Sequence, residues 1–334
     1  MKPIREIVAT PGRLPDDLLQ VAEPVVLRGI VAHWPMVEAA RRSDRAAVDY
    51  LRQCWRDEPV AIMTGPPEIE GRFFYNADFS GFNFGRHDAP LPAVMEALLE
   101  LRRDPRPPCF YVGSTTVDTC LPGFRAHNDL DVGHPDPLVS VWLGNRSRIA
   151  AHYDLPDNVA CVVAGRRRFT LFPPDQLANL YVGPLDFTPA GQPVSLVDLK
   201  RPDLDRYPRF ADALANGQEA VLEAGDALYI PSMWWHHVEA LEGFNVLINY
   251  WWRQSPDHMD SPVAALMLAL LTMRDLPPTQ RKAWEGIFDH YVFHADDETA
   301  AHIPPAADRA SSAAPASARP PANPCGRGTG ATSS

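Results

Sequence analysis

Disulfides, zinc fingers and membrane spans are all poorly provided for in this chain. Its 334 residues include only five cysteines (Cys54, Cys109, Cys120, Cys161 and Cys325), scattered and with no CxxC pair. An odd, dispersed set argues against a disulfide framework and for a reducing compartment, so a cytoplasmic location is expected. Long apolar runs are missing too. The longest uncharged one, residues 263–271, falls far short of the ~20 residues a membrane helix needs. The first residues also lack the apolar stretch of a secretory leader, so no membrane partner is expected. Positive charge is in deficit, with 31 Lys and Arg against 42 Asp and Glu, a net charge of −11. That disfavours a nucleic-acid groove built on bulk electrostatics.

Proline is abundant, at 35 residues, and its placement divides the chain. Many prolines fall between strand-like runs, where they end elements and set turns. Others crowd the end: from Pro304 onward there is no aromatic residue, so residues 297–334 are expected to be a disordered Pro/Ala/Ser tail. With 46% hydrophobic and 22% charged residues overall, the chain suits one large globular domain with additions.

Residues 1–108 read as a mixed α/β support region. Residues 24–29 (PVVLRG) and 60–63 (VAIM) are strand-like, and residues 43–55 and 91–101 have helical spacing, with Ser43 as a plausible N-cap. From Cys109 the pattern turns to short β runs: 109–113, 139–144, 149–154, 158–165 and 167–172, then 220–223, 227–230, 235–238 and 246–251. A loop-rich insertion, residues 173–216, separates the two groups. Eight or so short strands between Gly and Pro turns predict a mainly β fold over residues 109–254, a jelly roll or double-stranded β-helix with a ligand-sized mouth. Residues 255–296 read as a helical pair, apolar almost all round in 263–271, and a homodimer through residues 261–293 is one way to cover it.

The chemistry concentrates in His152-Tyr153-Asp154 and Trp234-Trp235-His236-His237. On a strand, a His-x-Asp places imidazole and carboxylate on the same face. A second strand carrying His236 or His237 completes a set of two histidines and one carboxylate, which occupies one face of an Fe(II) ion and leaves the other positions open.

Together, His152-Tyr153-Asp154, residues 165–174 (GRRRFTLFPP), 225–231 (GDALYIP), Trp234-Trp235-His236-His237 and Asn249-Tyr250-Trp251 resemble the JmjC, or cupin-like, Fe(II)/2-oxoglutarate-dependent oxygenases. Within that family the resemblance is greatest to the asparaginyl hydroxylases that act on the hypoxia-inducible factor. It implies that His152, Asp154 and His236 hold the iron, the histidine directly after the tryptophan being the ligand rather than His237. It implies a co-substrate pocket with Arg167, Tyr111, Asn158 and Asn249. Trp234, Trp235 and Trp251 are candidate walls of that pocket or else core aromatics. Two positions depart from the family pattern. Arg167 stands where a lysine is expected, which keeps a fixed cation for a carboxylate. Ile149 stands where a co-substrate-binding threonine is expected, which removes one hydrogen bond. The implied reaction consumes 2-oxoglutarate and O₂, releases succinate and CO₂, and hydroxylates a protein side chain or small molecule. Two other readings stay open: a metal-dependent cupin enzyme that does not use 2-oxoglutarate, and a metal-binding or interaction module without catalysis.

Overall fold

The structure is a computed structural model and describes residues 1–256 and 259–304. It divides into two compact units, Met1–Gln254 and the segment from Ser255 onward. The first unit is built on a nine-stranded and a six-stranded sheet. Each contributes four strands to a jelly roll. One set is Leu138–Gly144, Asp157–Ala164, Ala227–Ile230 and Asn245–Trp252; the other is Arg148–His152, Arg166–Phe172, Gln218–Glu223 and Trp235–Ala240. The fold class expected from the strand pattern is what the chain adopts.

Strands from the first 116 residues extend both sheets. Lys2–Pro3 runs parallel to Gln218–Glu223, and Arg72–Phe73 runs parallel to Arg148–His152. On the other sheet, Arg5–Val8 and Val25–Arg28 continue from Ala227–Ile230, while Cys109–Thr116, Pro59–Gly65 and Gly85–Pro90 continue from Leu138–Gly144. Gly85–Pro90 is polar and mostly exposed, so nothing in its alternation announces a strand; it is an edge, where charged residues discourage further pairing.

The strand Asp157–Ala164 is buried at every position. Ala160 and Val162 face the inside of the roll with Phe169, Leu171, Leu228 and Leu247. Val159, Cys161 and Val163 face the other way, among Trp34, Val37, Val48, Leu51 and Leu98 from the N-terminal helices. Two apolar faces explain why this strand reads as a continuous hydrophobic run instead of an alternation. The helices Asp44–Cys54 and Leu91–Leu101 fall where their spacing predicts, and the Ser43 hydroxyl caps the first by accepting from the Ala46 N–H at 3.1 Å. The insertion is more ordered than its composition suggests. It carries the helix Phe210–Asn216, whose Phe210 and Ala213 pack with Phe172 and Trp235 on the outer face of the six-stranded sheet.

Gly165 closes the hairpin between Asp157–Ala164 and Arg166–Phe172 with φ of +72°, and a Cβ there would collide with the Asn245 side chain and the Phe244 carbonyl. Only glycine satisfies both conditions. The turn sets the register in which Arg167 points inward.

The second unit holds the helices Pro262–Thr272 and Pro278–Phe288 and a wide turn, Asp289–Phe293. Ser261 caps the first helix, accepting from Val263 N–H. The expected tail lies, from residue 305, outside the described residues.

Candidate metal centre

His152 ends the strand Arg148–His152, and Asp154 follows two residues later. His236 lies on Trp235–Ala240, directly opposite His152 in the antiparallel ladder. The two imidazole centroids are 4.3 Å apart, and Asp154 Oδ2 is 3.6 Å from His236 Nε2. One ligand atom from each of the three residues lies within 4.8 Å of the others, a spread that one ion draws together by small side-chain rotations.

The backbone fixes which nitrogen each histidine offers. His152 Nδ1 lies 2.9 Å from the Ala150 carbonyl and His236 Nδ1 lies 3.0 Å from the Trp234 carbonyl. A carbonyl only accepts, so both Nδ1 atoms carry the proton and both Nε2 lone pairs face the shared position. Burial, reinforced by the His152 imidazole and opposed by Asp154, pushes His236 down to about 4. It is therefore neutral at pH 7, the form that ligates a metal.

Strand alternation separates His236 from its neighbour. His237 is buried on the opposite face, with its Nε2 4.0 Å from Glu239 and neither ring nitrogen hydrogen-bonded. It has no part in the cluster.

The triad opens onto a cavity of about 510 Å³ inside the roll. Every residue that the resemblance assigns to the co-substrate lines it: Arg167, Tyr111, Asn158 and Asn249. Arg167 is only 2% exposed, and its Nε finds no hydrogen-bond partner among the described residues. Burial pulls its affinity for the proton down, yet a guanidinium stays charged in proteins. A buried, unpartnered cation is costly unless an anion joins it, so this cavity is built for a carboxylate or a similar group. Burial pushes the Tyr111 hydroxyl up to about 12, leaving it a neutral donor beside that cation.

The Trp142 indole N–H donates to Asn249 Oδ1 at 2.7 Å. Since indole only donates, the Asn249 amide is oriented, and its NH₂ reaches Asn158 Oδ1 at 3.3 Å. Trp142 was not singled out by sequence reasoning, although alternation along 139–143 does set it apart from Val139, Val141 and Leu143. Of the three tryptophans read as walls, Trp251 lines the cavity. Trp234 is instead tied to the Ala22 carbonyl at 2.9 Å, and Trp235 packs under the insertion against Tyr153. Phe73, Phe84 and Arg86 also line the cavity. They come from the aromatic-rich residues 72–86, whose density of rings was the available signal. Ile149 lines it as well, as an apolar stretch of wall.

A model of the cupin-like domain matches residues 11–258. Lysine-specific demethylase JMJ31 of Arabidopsis thaliana is 37% identical over 129 residues, 37% of this chain and 23% of its own length. tRNA wybutosine-synthesizing protein 5 of Gallus gallus is 36% identical over 298 residues, covering 79% of this chain and 86% of the relative. Lysine-specific demethylase 8 of Xenopus tropicalis is 24% identical over 71% of this chain and 49% of its own. The chain thus spans less than half the length of two of these three relatives and most of the third. With three quarters of its length under one domain model and the iron-type triad assembled inside the roll, this chain belongs to the cupin-like family, whose JmjC members are Fe(II)- and 2-oxoglutarate-dependent oxygenases.

Proposed function

We propose that this chain is an Fe(II)- and 2-oxoglutarate-dependent hydroxylase acting on a protein side chain or a small molecule. One observation carries the reading: the unpartnered guanidinium of Arg167 shares a cavity with a two-histidine, one-carboxylate triad. His152, Asp154 and His236 would hold the metal, and Arg167 would hold the distal carboxylate of the co-substrate through paired N–H donors. The Tyr111 hydroxyl adds a donor to the same carboxylate, and Asn158 and Asn249 present amides close by. Bound there, iron and 2-oxoglutarate supply an oxidative decarboxylation that yields succinate and CO₂ and places oxygen on a substrate C–H bond. Trp142, Trp251 and Phe73 line the walls and keep bulk water from the reacting groups. A cupin enzyme that ignores 2-oxoglutarate has no evident use for a buried cation in this place. Succinate release from 2-oxoglutarate, strictly dependent on Fe(II), is the expected activity, and His152→Ala is expected to abolish it. Wild-type release in that variant would dismiss the triad.

A second substrate reading is a modified nucleobase. The relative from Gallus gallus carries a tRNA wybutosine-synthesis name and aligns over 86% of its length. Cavity-lining Phe84 also stacks on Phe82 at 5.3 Å, and Phe82 on the partly exposed Phe187 at 4.9 Å, a ladder of faces suited to flat rings. The net charge of −11 weighs against it. Stimulation of succinate release by bulk tRNA and not by a peptide library would select it.

The C-terminal helices are the proposed contact with a second copy. Leu268, Leu271, Trp284, Tyr291, Val292 and Phe293 are exposed, and neither helix buries a residue. So many exposed large apolar residues on two short helices are uncommon on a free monomer, and a two-fold pairing covers them with their own copies. Light scattering is expected to give a dimer, and Leu268→Glu with Leu271→Glu a monomer. A reducing compartment, the cytoplasm, suits the free thiols of Cys54, Cys109, Cys120 and Cys161.

A further inference from the structure

The loop that carries Asp154 and the loop that leads into His236 are joined by hydrogen bonds that use no ligand side chain. Met233 N–H donates to the Asp154 carbonyl at 3.0 Å. The Ser232 hydroxyl donates to the Leu155 carbonyl at 2.6 Å, and Ser232 N–H donates to Asp157 Oδ1 at 3.1 Å. The same carboxylate accepts from the Tyr229 hydroxyl at 3.2 Å and from Gln254 Nε2 at 2.7 Å. Asp157 is 4% exposed, so these three donors are what make a carboxylate tolerable there.

The ladder alone does not set the distance between Asp154 and His236. Asp154 lies beyond the end of the strand Arg148–His152, and the pairing of that strand with Trp235–Ala240 shifts register between His236 and Val238. What remains is the path Asp157–Ser232–Met233–Asp154. Met233 holds φ of +69°, a left-handed conformation that is strained for a methionine and persists only where the surroundings over-determine it. Its N–H is thereby aimed at the carbonyl of a metal ligand, three residues before the next ligand in the chain.

We infer that Asp157 is a positioning residue for the metal centre: through Ser232 and Met233, its carboxylate sets the separation of the Asp154 side chain from His236. This rests on the reading of the triad as a metal site. Outer groups that orient ligands are worth about 10–100-fold in metal affinity.

The test is a Co(II) titration of the metal-free full chain, read by calorimetry and by the visible ligand-field bands of the bound ion. Asp157→Ala is expected to bind Co(II) about tenfold more weakly, with altered bands. Asp157→Asn, whose Oδ1 still accepts from Ser232 N–H and Tyr229, is expected to return affinity and bands toward wild type. Ser232→Ala, which removes only the bond to Leu155, shifts both in the same direction by less, and carries the test should Asp157→Ala not fold. Val163→Ala is the control: it lies on the same strand facing the helices, and should lower the unfolding midpoint with Co(II) binding unchanged. Equal Co(II) binding in Asp157→Ala, Ser232→Ala and wild type overturns the positioning role and leaves the metal centre standing. Failure of the wild type to bind Co(II) would instead remove the metal centre itself.

Discussion

Replacing His236 with alanine is expected to weaken Fe(II) or Co(II) binding at least about 100-fold and to take succinate release below detection, while His237→Ala leaves both near wild type. The adjacent histidines are chemically identical, and only the pleat tells them apart. His236 pairs with His152 and sends Nε2 toward Asp154, its proton held on Nδ1 by the Trp234 carbonyl. His237 points to the other side of the sheet, where its ring nitrogens have no hydrogen-bond partner and Glu239 keeps Arg168 at 2.9 Å whether or not the imidazole is present. Removing His237 therefore changes packing, read as a shift in denaturant midpoint, without touching the metal. Metal titration of the two variants side by side checks this, and loss of binding in His237→Ala would mean that the strand register is wrong by one residue.

His152, Asp154 and His236 stand out as candidate ligands from residue type and spacing, whereas Arg167, Tyr111, Asn158 and Asn249 come from the family resemblance alone and line the same cavity. One glycine at positive φ, Gly165, fixes the register of two strands, and with it the inward aim of Arg167. The His-x-Asp spacing reads as two residues of one strand, but the strand stops at His152 and Asp154 lies just past it, its carbonyl accepting from Met233 N–H. What stayed illegible arrives from a distance. Phe73, Phe84 and Arg86 reach the cavity from a segment more than 60 residues before His152, on a two-residue strand and a polar edge that leave no periodic mark. The helix Phe210–Asn216 was lost inside a run of proline and aspartate because seven residues are too few to show a face. Of the tryptophans that could be walls or core, Trp235 is core because it faces away from His236 on the pleated strand, and Trp234, one residue before that strand, is held by the Ala22 carbonyl.

Arg167→Met is expected to separate stability from function. In the ligand-free chain Arg167 is a buried cation whose Nε has no partner, so an apolar side chain of similar length removes a desolvation cost and should raise the unfolding midpoint. The same change deletes the paired donors proposed for the distal carboxylate of 2-oxoglutarate. A charge-assisted hydrogen bond contributes about 1.5–3 kcal/mol, so losing the two bonds of the fork should raise the KM for 2-oxoglutarate at least about 100-fold, with metal affinity retained because the triad is untouched. Arg167→Lys keeps the charge but not the fork, and should fall between the two. Thermal unfolding with and without 2-oxoglutarate gives both halves in one experiment. The co-substrate should stabilise the wild type and the Arg167→Lys variant and leave Arg167→Met unmoved, although the latter starts higher. A methionine variant that is less stable when ligand-free, or that is still stabilised by 2-oxoglutarate, would show that Arg167 is satisfied within the fold and that the anion sits elsewhere.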